Sequence, residues 1–157
     1  MKYDVRYGDL LAQDVDAIVN SWNRNVIPWW LLLPQGVSGA IKRSGGTAPF
    51  KELSQHGPIP LGEARLTGSG ELAFKGIIHV AGINMFWLAT KYSVTQSVIN
   101  SVKLADREGF KSLALPLIGA GSGNRSADWS LRIIRQCLDG LKSRCVVSVI
   151  RYEKDQR

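Results

Sequence analysis

Glycines recur at positions 119, 121 and 123 in "ALPLIGAGSGNRSADW", directly after an apolar run and directly before a helical pattern. Three missing side chains let main-chain amides approach an anion. The free N–H groups and positive dipole end of the following helix serve the same place. A diphosphate suits such a loop. A plain flexible turn is the competing reading, because a lone glycine-rich loop is weak evidence. The segment lacks the Gly-Lys-Ser/Thr of an ATP-binding loop, and it is not the first strand-to-helix turn of a dinucleotide fold.

A second group of polar residues sits in "YGDLLAQDVDAIVNSWN". Asp9 follows a strand end and a glycine, where its carboxylate can accept a hydrogen bond from an exocyclic amine. Asn20 and Asn23 end the next apolar run, at an edge where open α/β sheets bind ligands. An asparagine amide donates and accepts, which suits neighbouring sugar hydroxyls. Turn capping competes for each of these residues and is the better reading for any one alone. "PWWLLLP" (Pro28 to Pro34) is too short to cross a bilayer, which needs ~20 residues. The bracketing prolines also argue against an ordinary strand.

The elements that must hold these groups alternate along the chain. Short strands are expected at Tyr3–Tyr7, Asp16–Asn20, Gly62–Thr67 and Gly76–Ala81, with further buried strands in "SLALPLIG" and "CVVSVIRY". Helical spacing marks Gly36–Arg43, Thr47–Gln55, the stretch from Ser93 to a stop at Gly109, and a segment capped near Ser126 with Leu131, Ile134 and Leu138 on one side. Strands apolar on both faces, alternating with helices, make a three-layer α/β sandwich. With 157 residues and no linker, one domain spans residues 1–157.

Charge and composition narrow the partners. Twenty basic against 13 acidic residues give +7, which favours an anionic partner such as a nucleotide or nucleic acid, although the cations are scattered. Cys137 and Cys145 have no metal-ligand pattern around them, so buried thiols are expected and no metal is implied. "MKYDVRYGDL" shows no secretory leader, so a cytoplasmic protein without a membrane association is expected. His79, inside "IIHVAG", reads as a core histidine with a satisfied hydrogen bond, and His56 as a surface-loop residue.

Taken in order, "GDLLAQDVDAIVNSWN", "GVSGAIKRSGG", "GEARLTGSGELAFKGIIHVAG" and "LALPLIGAGSG" resemble the macro domain family over nearly the whole chain. The resemblance implies a mixed sheet between helices with an ADP-ribose cleft at the strand ends. It implies no cofactor. By position, Asp9 would hold the adenine amino group with Leu10 nearby, and Asn23, with Asn20 and Trp22 beside it, would meet the distal ribose. Gly36 and Val37 would line one phosphate loop. Gly119, Ala120, Gly121, Ser122, Gly123 and Asn124 would form the other, and Arg151 or Tyr152 would lie near the adenine. Family hydrolases often carry an aspartate after Gly-Val; Ser38 stands there, and "WWLLLPQG" replaces a glycine run. Gly123 stands where many relatives place an aromatic over the distal ribose. Trp22 is expected to rebuild that wall, and the leucines of the inserted segment to pack beside the helix at Gly36.

Two functions follow from the resemblance. One is a hydrolase that removes ADP-ribose from a modified protein or nucleic acid, or deacylates O-acetyl-ADP-ribose, with Asn23 and Ser38 in catalytic positions and Asp14, Asp16 and Arg24 as further polar candidates. The other is a reader that binds ADP-ribose without cleaving it. RNA or single-stranded DNA binding, from the positive charge and tryptophans, is the third and weakest reading.

Overall fold

The computed structural model describes residues 1–32 and 36–152, without the side chain of Ser122. Six strands form one sheet: β1 (Tyr3–Tyr7), β2 (Ala17–Trp22), β3 (Ala64–Thr67), β4 (Gly76–Ala81), β5 (Ser112–Pro116) and β6 (Val146–Arg151). Their spatial order is β1-β6-β5-β2-β4-β3, and all neighbours are parallel except the antiparallel pair β3 and β4. Among the described residues four α-helices cover it: α1 (Gly36–Gly45), α2 (Ala48–Ser54), α3 (Lys91–Arg107) and α4 (Ala127–Gly140). The fold is the three-layer α/β sandwich expected from the strand and helix pattern, with the mixed sheet that the family resemblance implies.

Side-chain parity on the strands explains the layering, because successive residues point to opposite faces. Ala17 and Val19 of β2 join Ile78 and Val80 of β4 and Leu113 and Leu115 of β5 in a core that includes Val94, Val98, Ile134 and Leu138 of α3 and α4. Ile18 and Trp22 point the other way, to Ile41, Phe50 and Leu53 of α1 and α2. β4 is buried along its whole length, as the sequence "GIIHVA" requires of a strand covered on both faces.

Local chemistry sets the element ends. Thr90 and Ser93 form a reciprocal capping box at the start of α3, each side chain accepting the other's backbone N–H. The Ser126 hydroxyl accepts the Trp129 amide at the start of α4, as expected. Asp9 caps a single 3₁₀ turn at Leu10–Ala12 through the Leu11 amide.

One pairing opens the sheet. β2 and β4 are in register at six positions from Ala17 to Trp22, whereas β2 and β5 pair only at Ala17 and Ile18. This is also where the strand order switches direction, so the crevice lies beyond the carboxyl ends of β2 and β5. Among the described residues no helix is long and apolar enough to cross a membrane.

Candidate functional site

Parallel strands bring their carboxyl ends to one edge, and that edge collects Gly8 and Asp9 after β1, Asn23 after β2, residues 117–124 after β5 and Tyr152 after β6. Asn23 is buried, and its Oδ1 accepts the Asn25 amide at 2.7 Å. That bond fixes the carboxamide and leaves the Nδ2 donors for a guest. Asn25 is held in turn: its Oδ1 accepts from Trp22 Nε1, and its Nδ2 donates to the Leu53 and Gly57 carbonyls. Asn23 opens onto a small cavity of about 20 Å³, shared with Val26, Ile27, Asn84, Met85 and Trp87.

The glycine loop divides into two kinds of position. A Cβ at Gly119 or Gly123 would come within 2.8 or 2.9 Å of the Ala89 Cβ, so these glycines are demanded by packing. Gly121 has φ +71° with nothing near its Cβ position, and it is exposed to an approaching guest. Two amides are already committed, Ala120 to the Leu117 carbonyl and Asn124 to the Gly121 carbonyl. The Gly119 amide has no acceptor among the described residues, while that of Gly123 lies inside the 3₁₀ turn Gly121–Gly123 that starts from Ala120. Buried backbone donors are nearly always paired, so the Gly119 amide points to a partner from outside the chain.

At the far end, the Asp9 Oδ1 accepts the Leu11 amide at 2.9 Å, while its Oδ2 and the Leu10 amide have no partner among the described residues. An acceptor and a donor side by side match the amino and ring-nitrogen edge of adenine. Beside them, the Arg151 guanidinium lies 5.7 Å from the exposed Tyr7 ring and is tethered to Asp128 at 3.1 Å. Tyr152 is exposed. Tyr7 was not singled out from sequence; its place opposite Arg151 comes from the β1–β6 register.

Gly36 is exposed at the start of α1 with φ +62°. Val37 turns its side chain to the core, and Ser38 is half-buried in the first helical turn. The Ser122 side chain, Leu33 and Gln35 lie outside the described residues.

Several expected site residues are placed elsewhere. Asn20 is fully buried: its Nδ2 donates to His79 Nδ1 at 3.0 Å, so it is a core residue and does not reach a ligand. Trp22 is 4% exposed, with its ring 5.2 Å from Phe50, because its parity on β2 directs it under α1 and α2. It does not rebuild the ribose wall. Asn124 commits its side chain to the Trp87 carbonyl. Asp16 precedes β2, at the end opposite Asn23; its carboxyl accepts the Lys111 amide, which chiefly holds its pKa below the usual carboxylate range. Of the inserted leucines, Leu32 packs on the core but Leu31 is exposed.

The inserted segment is instead clamped by Lys42. Its ammonium donates to the Trp29 carbonyl and lies 4.9 Å from the Phe50 ring and 5.4 Å from that of Trp22. Burial holds its pKa below that of a free lysine.

The wall beside Asn23 comes from a segment that sequence reasoning passed over, "INMFWLAT". Asn84 Oδ1 accepts the Phe86 and Leu88 amides, and Trp87, at φ +58°, is pinned through Asn84 and Asn124. Of the three non-glycine residues with positive φ among those described, Trp87 and Asn124 belong to this network, and the third, Asn25, is the residue whose amide fixes Asn23. Such strain concentrates at functional sites. The available signal was three bulky apolar residues between Asn84 and the helix cap Thr90, where a loop is normally polar.

The macro domain pattern matches residues 19–134. A "Macro domain-containing protein TTE0995" of Caldanaerobacter subterraneus subsp. tengcongensis is 33% identical over 94% of this chain and 87% of that protein. Together these place the chain in the macro domain family. Among solved structures, a variant of the Oceanobacillus iheyensis macrodomain with ADPR is similar at TM-score 0.82 and 22% identity, covering 98% of this chain and 85% of that one. A Trypanosoma brucei macrodomain in complex with ADP is similar at TM-score 0.77 and 21% identity, covering 99% and 66%. At these identities the likeness shows the fold.

Proposed function

We propose that the chain binds ADP-ribose across this sheet edge and hydrolyses ADP-ribose conjugates. The observation that carries the reading is the buried Gly119 amide, left without an acceptor among the described residues at the switch point of the sheet. The ligands in the two similar macrodomain structures support the choice of guest. Adenine would sit with its amino group on Asp9 Oδ2 and its ring nitrogen on the Leu10 amide, against Arg151 and Tyr7. The diphosphate would lie between Gly121 and the start of α1 at Gly36 and Val37. Asn23 Nδ2 would donate to a distal-ribose hydroxyl.

For hydrolysis, a water held beside Asn23 attacks the anomeric carbon, the bond to the conjugated group breaks, and that group departs with a proton. Residues 17–51, 72–105 and 109–127 contain no Asp or Glu. The segments meeting at Asn23 therefore supply no carboxylate base, and the proton of the attacking water passes to a phosphate oxygen of the substrate itself and from there to the departing group. Such substrate assistance is slower than a positioned general base, which contributes typically 10²–10⁴-fold. The same observation, with Ser38 where family hydrolases often carry aspartate, favours the second reading: a module that holds ADP-ribose without cleaving it.

Calorimetric titration with ADP-ribose tests binding, and release of ADP-ribose from aspartyl-, glutamyl-, arginyl- and nucleobase-linked substrates tests hydrolysis. One-site binding with turnover that falls in Asn23→Ala is the expected result. Binding without turnover on any of the four selects the reader, and absence of binding rejects both.

A further inference from the structure

Phe86 is 86% exposed, Met85 55% and Trp87 42%, together on a loop directly beside the Asn23 cavity. Large apolar groups this exposed are unusual when contiguous, and they mark contact surfaces. The loop is a built platform. It is held by the Asn84 side chain, by Asn124 on the Trp87 carbonyl, and by the Ala89 amide on the Gly123 carbonyl. Trp87 is held in a backbone conformation a bulky residue rarely adopts.

Cations border the platform. The segments that build it carry cations and no carboxylate between residues 17 and 51, 72 and 105, or 109 and 127. Arg24 lines the cavity, Lys91 follows the loop at the start of α3, and Arg125 donates Nε to the Ala89 carbonyl at 2.9 Å. A protein ligand would gain from the apolar surface but has no need of the cations that border it. A single nucleic-acid strand requires both, since its bases stack on aromatic faces and its phosphates need cations.

We propose that the Met85–Phe86–Trp87 lip stacks unpaired bases of a single-stranded nucleic acid, so that the conjugate presented at Asn23 is ADP-ribose carried on such a strand. This rests on the ADP-ribose reading of the cleft and names its substrate class. Phe86 makes the stacking contact outside the cavity, and Met85 and Trp87 form the edge between the two.

The test pairs two titrations on the whole chain. Fluorescence anisotropy follows a labelled single-stranded DNA 12-mer of mixed sequence at two salt concentrations, and calorimetry follows ADP-ribose, for the unaltered protein, Phe86→Ala and Phe86→Tyr. The expected result is oligonucleotide binding that weakens about tenfold or more from 50 to 200 mM salt and about fivefold or more in Phe86→Ala, with Phe86→Tyr close to the unaltered protein. ADP-ribose affinity should stay within about twofold throughout, because Phe86 lies outside the cavity. Failure of ADP-ribose to bind the unaltered protein overturns the underlying reading. With ADP-ribose binding intact, several results overturn this proposal alone. They are no oligonucleotide binding, oligonucleotide binding indifferent to Phe86, or a dimer in sedimentation that Phe86→Ala dissociates. An ADP-ribosylated peptide losing affinity in Phe86→Ala, where the oligonucleotide does not, overturns it in favour of a protein target.

Discussion

Acid should weaken this fold through one buried imidazole, by an amount the structure sets. His79 is fully buried on β4, between Asn20 of β2 and Thr67 of β3, at 3.0 and 2.8 Å. The Thr67 hydroxyl donates to the Gly68 carbonyl, so His79 Nε2–H must donate to Thr67 and Nδ1 must accept from Asn20. Protonating Nδ1 would set a donor against a donor. Burial is the main cause that lowers the pKa from 6.5 to about 3. The unfolded chain therefore takes up the proton first as pH falls. Nothing is lost above about 6.5, and stability then declines by about 1.4 kcal/mol per unit down to about 3. Between pH 7 and 4.5 the loss is about 2.5 kcal/mol, a large part of the 5–15 kcal/mol typical of a domain. Urea unfolding at both pH values, for the unaltered protein and His79→Gln, isolates this contribution, because the carboxylates are common to both. The difference in pH sensitivity should be about 2.5 kcal/mol. Equal sensitivity, or a His79 ring signal titrating above about pH 5.5 in NMR, would refute the reasoning.

Four further outcomes follow from named contacts. Asn23→Ala removes one neutral hydrogen bond to the distal ribose, so ADP-ribose affinity should fall roughly 2- to 13-fold by calorimetry, the equivalent of about 0.5–1.5 kcal/mol. Gly119→Ala places a Cβ 2.8 Å from Ala89 at φ +93°. It should destabilise by about 1–3 kcal/mol in thermal unfolding and weaken ADP-ribose binding with it. Lys42→Ala deletes the cation shared by Phe50, Trp22 and Trp29. A loss of roughly 1–3 kcal/mol in urea unfolding, with a change in tryptophan emission, is expected. Burial raises the Cys137 and Cys145 thiols to about 11. Neither should react at pH 8 with a thiol reagent at the rate of a free cysteine until the chain is unfolded.

Legibility from sequence followed the range of the interaction. The strands at Tyr3–Tyr7 and Gly76–Ala81, the Ser126 cap and the core role of His79 rest on period, caps and apolar runs within a few residues, and the structure has them as read. The Asp9 cap also forms, while leaving one carboxyl oxygen for a guest. Trp22 shows the limit. Its neighbour Asn23 suggested the ligand wall, but strand parity sends adjacent side chains to opposite faces, and the β2–α1–α2 packing claims the indole.

What the sequence determined by itself, then, was the family, the alternating strands and helices, and the edge where Asp9, Asn23 and the glycine loop meet, since motif order and local periodicity carry that information. Only the tertiary structure decided which aromatic residues border Asn23. The Met85–Trp87 loop is set by contacts with residues 123 and 124, more than thirty positions away, and by a strand register that leaves β2 and β5 paired at only two positions. Those contacts depend on how the sheet is ordered in space, and no window of neighbouring residues contains that order.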